Sequence, residues 1–135
     1  MENLINLEDN DMCYACGKKN THGLHLEFTL CERDKSIETN FLPSELHQGW
    51  EGIVHGGVIA TVMDEAMAKM AQLLGYHVVT ASLDVRFKDM AKTRELLKVR
   101  AEVTKLSKKL IFTKAVAHRE DGKIIAEARA KLMVC

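Results

Sequence analysis

His55, Gly56, Gly57 and Asp64 are the residues whose types and spacing could do chemistry. His55-Gly-Gly stands where a turn-rich loop (Pro43, Gly49, Trp50, Gly52) runs into a long stretch of Val, Ile, Ala and Met. If that stretch is a helix, its first backbone N–H groups have no partner within it. No Ser, Thr or Asp stands there to cap them, and a glycine pair leaves them open to close approach. Open N–H groups at a helix N-terminus suit an oxyanion or a polarised carbonyl. Tight packing of a helix on a sheet would ask for the same glycines, so the glycines alone decide nothing.

Asp64 carries more weight. At about 100° per residue, Thr61, Glu65, Lys69 and Gln72 form one polar stripe, and Asp64 lies off it. Its wheel neighbours are Ala60, Met67, Ala68 and Ala71, which leave room for a substrate. A carboxylate among such residues must be paired or used, and general-base work is the use that fits. The plainer alternative is a side chain that reaches the wet edge or an interface. Glu65 is a rival base, but the wheel puts it on the polar stripe. His55 either hydrogen-bonds a substrate, orients the loop or is satisfied by backbone.

The elements that must position these residues are few. The chain has 135 residues, enough for one domain (1–135) with one core and a turn-rich lead-in over 1–22. Leu24, Leu26, Phe28 and Leu30 alternate as in a strand, Arg33-Asp-Lys is a turn, and Ser36–Phe41 reads as the partner strand. Gly56–Leu74 is apolar on most of its wheel and predicts a buried helix ended by Gly75. Four strands follow. The first alternates Ala81, Leu83, Val85 and Phe87 against Thr80, Ser82, Asp84 and Arg86. The second carries Leu97, Val99, Ala101 and Val103, the third Leu110, Phe112, Lys114 and Val116, and the last runs over Ile124–Val134 after an Asp121-Gly122 turn. One helix cannot supply the crossovers of a parallel sheet. The expected class is α+β: an antiparallel sheet of about six strands wrapped around one long central helix.

Charge narrows the partners. The net charge is zero, against a polyanion binder, but residues 1–65 sum to −8 and 86–114 to +7. No apolar run approaches the roughly 20 residues of a membrane helix. The acidic N-terminus lacks the pattern of a signal or transit peptide, and four cysteines do not make a secreted scaffold, so a cytoplasmic protein with reduced thiols is expected. Cys13-x-x-Cys16 could be half of a zinc site, with Cys31, His22 or His25 to help, but no second spaced pair exists. The expectation is a structural pair and no metal. The chain has no G-x-S-x-G elbow, P-loop, H-E-x-x-H or dinucleotide fingerprint.

The stretch from His55 to Asp64 resembles the hot-dog-fold acyl-CoA thioesterases of the phenylacetate-degradation type, with His-Gly-Gly opening the central helix and a carboxylate nine positions after the His. Cys13-x-x-Cys-Gly17…Asn20…Gly23-Leu24 and Thr80-Ala-Ser-Leu-Asp-Val-Arg-Phe87 are similar to that branch's lead-in and its strand after the helix, although both lack a proline the family often has there. The resemblance implies a hot-dog fold that hydrolyses acyl-CoA. Asp64 would be general base or nucleophile, the Gly56 N–H would polarise the carbonyl, and His55 would position it. Gln48, Gly57, Thr80 and Ser82 would contact substrate or water, with Thr80 and Ser82 on one strand face. It implies no cofactor beyond the coenzyme A of the substrate, and a homodimer, or a pair of dimers, with the site between protomers. Arg86, Lys88, Lys92 and Arg94 are the nearest cations for its phosphates. Trp50 could close over the acyl group or lie in an interface. A non-catalytic acyl-CoA-binding module and a hot-dog dehydratase are the rival readings.

Overall fold

The computed structural model describes residues 7–135, so the first six residues of the 1–22 lead-in lie outside it. Helix α1 (Gly56–Leu73) forms where Ala and Met are dense. Leu74 is its C-cap, one residue short of the expected end, and Gly75 leaves it at φ +98°. Ile59, Val62, Met63, Ala66, Met67, Met70 and Ala71 are buried.

Six strands surround this helix: β1 (Thr29–Cys31), β2 (Ser36–Phe41), β3 (Val78–Phe87), β4 (Leu97–Leu106), β5 (Leu110–Arg119) and β6 (Ile124–Val134). They form one antiparallel sheet in the order β1-β2-β4-β5-β6-β3. α1 packs against β2 to β6, and the core lies between helix and sheet. This is the hot-dog arrangement. The chain passes from β2 through α1 to the far edge of the sheet, so β3 has a neighbour, β6, on one side only.

Three local expectations fail, each for a physical reason. The strand expected from Leu24 shrinks to Thr29–Cys31. Leu24 and Leu26 donate their N–H groups to Tyr14 and Ala15 of the lead-in (2.8 and 2.9 Å), and His25 at φ +52° breaks the extended run. On β5 the buried face is Ile111, Thr113, Ala115 and Ala117, not the Leu110–Val116 set. Small residues win that face: Ala115, Ala117, Ala126, Ala128 and Ala130 stand opposite a helix carrying the fully buried Met63, Met67 and Met70. Large against small is what close packing of two layers requires. On β3 the register shifts between Thr80 and Ser82, so Ala81 is an extra residue, a β-bulge.

Ala115→Leu should therefore overpack the helix-facing side and cost about 1–3 kcal/mol. Val116→Leu, on the outer face, should change stability by less than about 0.5 kcal/mol. Urea midpoints check the order; the reverse order would mean that the sheet turns its other face to α1.

Candidate active site

The loop before α1 is tied down at several points. His55 donates its N–H to His47 O (2.8 Å), Val54 to Ala91 O (2.8 Å) and Gly49 to Ile53 O (2.9 Å). His55 is the N-cap: its Nδ1 accepts the Gly57 N–H at 2.9 Å. The expectation of an uncapped terminus is thus corrected, because an imidazole does what a Ser or Asp usually does. Gly57, expected at the substrate, has its N–H engaged by this cap. The acceptor role also requires an unprotonated Nδ1. The Gly56 N–H has no hydrogen-bond acceptor among the described residues. A Cβ on Gly56 would stand 3.3 Å from Phe87 Cζ, so the half-exposed Phe87 ring at the end of β3 lies against the helix start. In the sequence Phe87 is one more apolar residue of an alternating strand, and only the fold sets it beside the glycine pair.

Asp64 is half-buried on α1, and the Thr80 hydroxyl donates to its Oδ1 at 2.7 Å. The bulge makes this bond possible. Thr80 pairs with the buried Leu132, whereas Ser82 pairs with the exposed Lys131. Successive β6 residues point to opposite faces, so Thr80 and Ser82 do as well. The two were expected to share a face; instead Thr80 joins Leu83, Val85 and Phe87 on the helix side. Ser82, Asp84 and Arg86 turn to the outer side, where Asp84 and Arg86 line a cleft with Glu127 and Arg129.

The remaining candidates are placed as follows. Gln48 spends its Oε1 on the Gly52 N–H (3.0 Å) and shapes its own loop. Trp50 is 86% exposed on that loop. Arg94 pairs with Glu45, while Lys88 and Lys92 are exposed and form no ion pair among the described residues. After β3, where no proline stands, Asp89 fixes the turn, with Lys123 at 2.7 Å and its own Oδ1 accepting the Met90 N–H.

Glu65 is the largest surprise. It is half-buried at an open cleft rather than free on the wet edge, and it accepts a hydrogen bond from Cys13 Sγ (3.8 Å). Burial, then a hydrogen bond from Cys16 to Glu65 and the charge of that carboxylate, push the Cys16 thiol up to about 12. No helix among the described residues is long and apolar enough to cross a membrane.

His47, which holds the His55 N–H, is itself tied into a capped turn. Its Nδ1 accepts the Ser44 N–H at 2.9 Å, and its ring lies 5.2 Å from that of Phe41. Burial pushes this imidazole below the usual histidine value. The unfolded chain therefore binds the proton more tightly, and the turn's contribution is complete above about pH 6.5 and is lost as pH falls through the lower folded value. The His47 ring C–H resonances should titrate with a midpoint below 6.5; a midpoint at or above it would contradict this placement.

The fold agrees with the comparisons. The thioesterase superfamily profile matches residues 51–126, from the glycine-bearing loop into β6. The chain is 32% identical over 85 residues to human acyl-coenzyme A thioesterase THEM5, covering 63% of this chain and 34% of that protein. It thus spans about a third of that relative's length. A hypothetical thioesterase of Streptococcus pneumoniae TIGR4, solved with coenzyme A, shares the fold at TM-score 0.76 and 16% identity, over 82% of this chain and 85% of that one. The E. coli PaaI protein from the phenylacetic acid degradation operon does so at TM-score 0.77 and 16% identity, over 83% and 80%. With the profile match running through the loop, the central helix, β3 to β5 and the start of β6, the chain belongs to the thioesterase superfamily.

Proposed function

We propose that the protein is an acyl-CoA thioesterase whose site is completed by a second copy of the chain. One observation carries this reading. Thr80, near the start of β3, bonds Asp64, and Phe87, at its end, lies on Gly56. The free edge of β3 invites pairing with an identical strand. A two-fold antiparallel pairing sets the Thr80 end of one strand beside the Phe87 end of the other. Asp64 of one protomer then faces Gly56 of the partner subunit.

One chain alone does not supply both groups. Gly56 and Asp64 are eight residues apart on α1, about 12 Å along the axis. The Gly56 N–H points out of the helix end, so an oxygen bound to it lies about 3 Å farther still. A carboxylate and one water do not span that gap. Across the pair, the Gly56 N–H holds the thioester oxygen, and the His55 cap and the Phe87 ring fix its surroundings. Thr80 occupies Oδ1 of Asp64 and leaves Oδ2 for water. Asp64 takes a proton as the water oxygen bonds the carbonyl carbon; the C–S bond breaks, and the sulfur leaves with that proton. A direct attack by Asp64 would need the same carboxylate. The name of the THEM5 relative and the coenzyme A in the Streptococcus structure support the substrate class. Coenzyme A enters as part of the substrate, and no cofactor is invoked. The four free cysteines support a cytoplasmic setting.

Free-thiol release from short-chain, long-chain and aromatic acyl-CoAs tests the activity. Asp64→Asn should lower kcat by about 10²–10⁴. Thr80→Val should lower kcat rather than raise KM. Wild type that binds acyl-CoA yet releases no thiol above the Asp64→Asn background would make the protein a binding module instead.

Complementation tests the shared site. Gly56→Pro removes the N–H at the first helical position, where the backbone tolerates proline and the half-exposed Phe87 ring must give way to the added ring. Co-expressed Asp64→Asn and Gly56→Pro chains should recover about a quarter of wild-type activity, because half the dimers are mixed and each carries one intact site. No recovery from mixed dimers would place both groups in one chain.

Lys88 and Lys92 follow Phe87 and form no ion pair among the described residues, whereas Arg86, equally without an ion pair there, faces the outer side with Ser82. Lys88→Glu should raise KM for acyl-CoA more than for a short thioester without the nucleotide; equal effects would remove Lys88 from phosphate binding.

A further inference from the structure

The lead-in carries a second cluster of reactive side chains that the proposed hydrolysis does not use. Sγ of Cys13, Sγ of Cys16 and a carboxylate oxygen of Glu65 all lie within 4.8 Å of one another. Two of the donors come from the lead-in and the third from the middle of α1. The expected partners Cys31, His22 and His25 are not part of this group.

The turn that presents the thiols is closely built. The Gly17 N–H donates to Cys13 O at 2.9 Å, and a Cβ on Gly17 would stand 2.4 Å from Cys13 N, so only glycine fits. Asn20 Nδ2 donates to Met12 O at 3.2 Å, and Ala15, between the cysteines, is buried in the core. Both thiols are therefore held toward α1 by backbone geometry and packing.

We propose that Cys13, Cys16 and Glu65 bind a thiophilic divalent cation of the zinc class. Two thiolates and a carboxylate match its preference for sulfur and oxygen donors in a tetrahedron. Metal–sulfur bonds of about 2.3 Å require the three donors to draw together by less than about 1.5 Å. As those bonds form, the two thiols release their protons to solvent, and nothing is oxidised or reduced. The dication and Lys69 stand against the three negative ligands, and Glu8 and Asp9, which line the same cleft, add negative charge that favours a cation there. The fourth coordination position opens into this cleft, of about 550 Å³, which Gln72 and His77 also line. Bound metal would clamp the lead-in onto α1 at the residue next to Asp64, and the site stands whether or not the thioesterase reading holds.

Cobalt(II) titration of the full, reduced, metal-free chain tests the proposal. Wild type and Cys31→Ser should develop thiolate-to-cobalt absorption in the near ultraviolet and the intense visible bands of a tetrahedral site, and zinc should displace both. Cys13→Ser and Cys16→Ser should lose these bands. Zinc should raise the Tm of wild type with increasing concentration but not that of Cys16→Ser. Glu65→Gln keeps both thiols and so remains informative where a serine variant fails to fold; its titration should move to about tenfold higher cobalt or more. Absent bands in wild type, bands that persist without Cys13 or Cys16, or an unchanged titration for Glu65→Gln would each overturn the site.

Discussion

Helix α1 buries one half of its wheel and keeps most of the other half partly covered, and most of the structure answers to that constraint. A buried helix satisfies its backbone internally, but each polar side chain it carries needs a partner from outside or from its own turn. Thr61 donates back to Gly57 O at 2.9 Å. Asp64 is met by Thr80, from the strand after the helix, and Glu65 by Cys13, from the lead-in before it. The Lys69 ammonium sits 6.0 Å over the Phe28 ring. The partners are not interchangeable: one is a strand hydroxyl at a bulge, the other a thiol in a glycine-dependent turn. Neighbouring carboxylates on one helix are thereby given different chemical surroundings.

Edge strand β3 shows how a small irregularity sets a site. In a regular strand Thr80 and Ser82 would point the same way. With Ala81 inserted, Thr80 turns inward and Ser82 outward, while Leu83 to Phe87 keep their alternation. The bulge thus places a hydroxyl at Asp64 at one end of the strand without moving Phe87 from Gly56 at the other. Bulges are common at sheet edges because an edge strand has only one ladder to disturb.

Much of this was legible in the residues. The central helix, β2 and the Asp121-Gly122 turn follow from strong local patterns, and the Gly56 and Asp64 positions follow from the helix they sit on. What was not legible depends on contacts between segments distant in the chain. The buried face of β5 was hidden because Leu110, Phe112 and Val116 look more like core than Thr113, Ala115 and Ala117; only the bulk of the facing methionines makes the smaller set the better fit. The bulge left no mark in the alternation, since Thr80 and Ala81 are both plausible on either face. His55 as a cap was hidden because imidazole is an uncommon N-cap. Glu65 looked wet because the wheel contains no information about the lead-in that covers it.

The uneven charge along the chain also has a structural answer, and it separates cations by what they face. The acidic first half and the basic run after β3 meet across β2 and β4, which pair strand to strand. Arg100 bonds Asp34 (2.5 Å) and Arg94 bonds Glu45, each joining a basic residue of the later segment to an acid of the earlier one, while Lys114 meets Glu102 across β4 and β5. Such exposed pairs contribute little to stability, at most about 1 kcal/mol each. Their effect is on the field instead. Charges paired in this way no longer add to a long-range attraction for polyanions, so the +7 of the sequence segment overstates what a solute meets. Lys88 and Lys92, which follow Phe87 and flank the loop that enters α1, keep their charge unpaired among the described residues. Arg86, Lys98, Lys105, Lys108 and Lys109 form no ion pair among the described residues either, so what sets Lys88 and Lys92 apart is their place, just after the strand end whose Phe87 lies on Gly56.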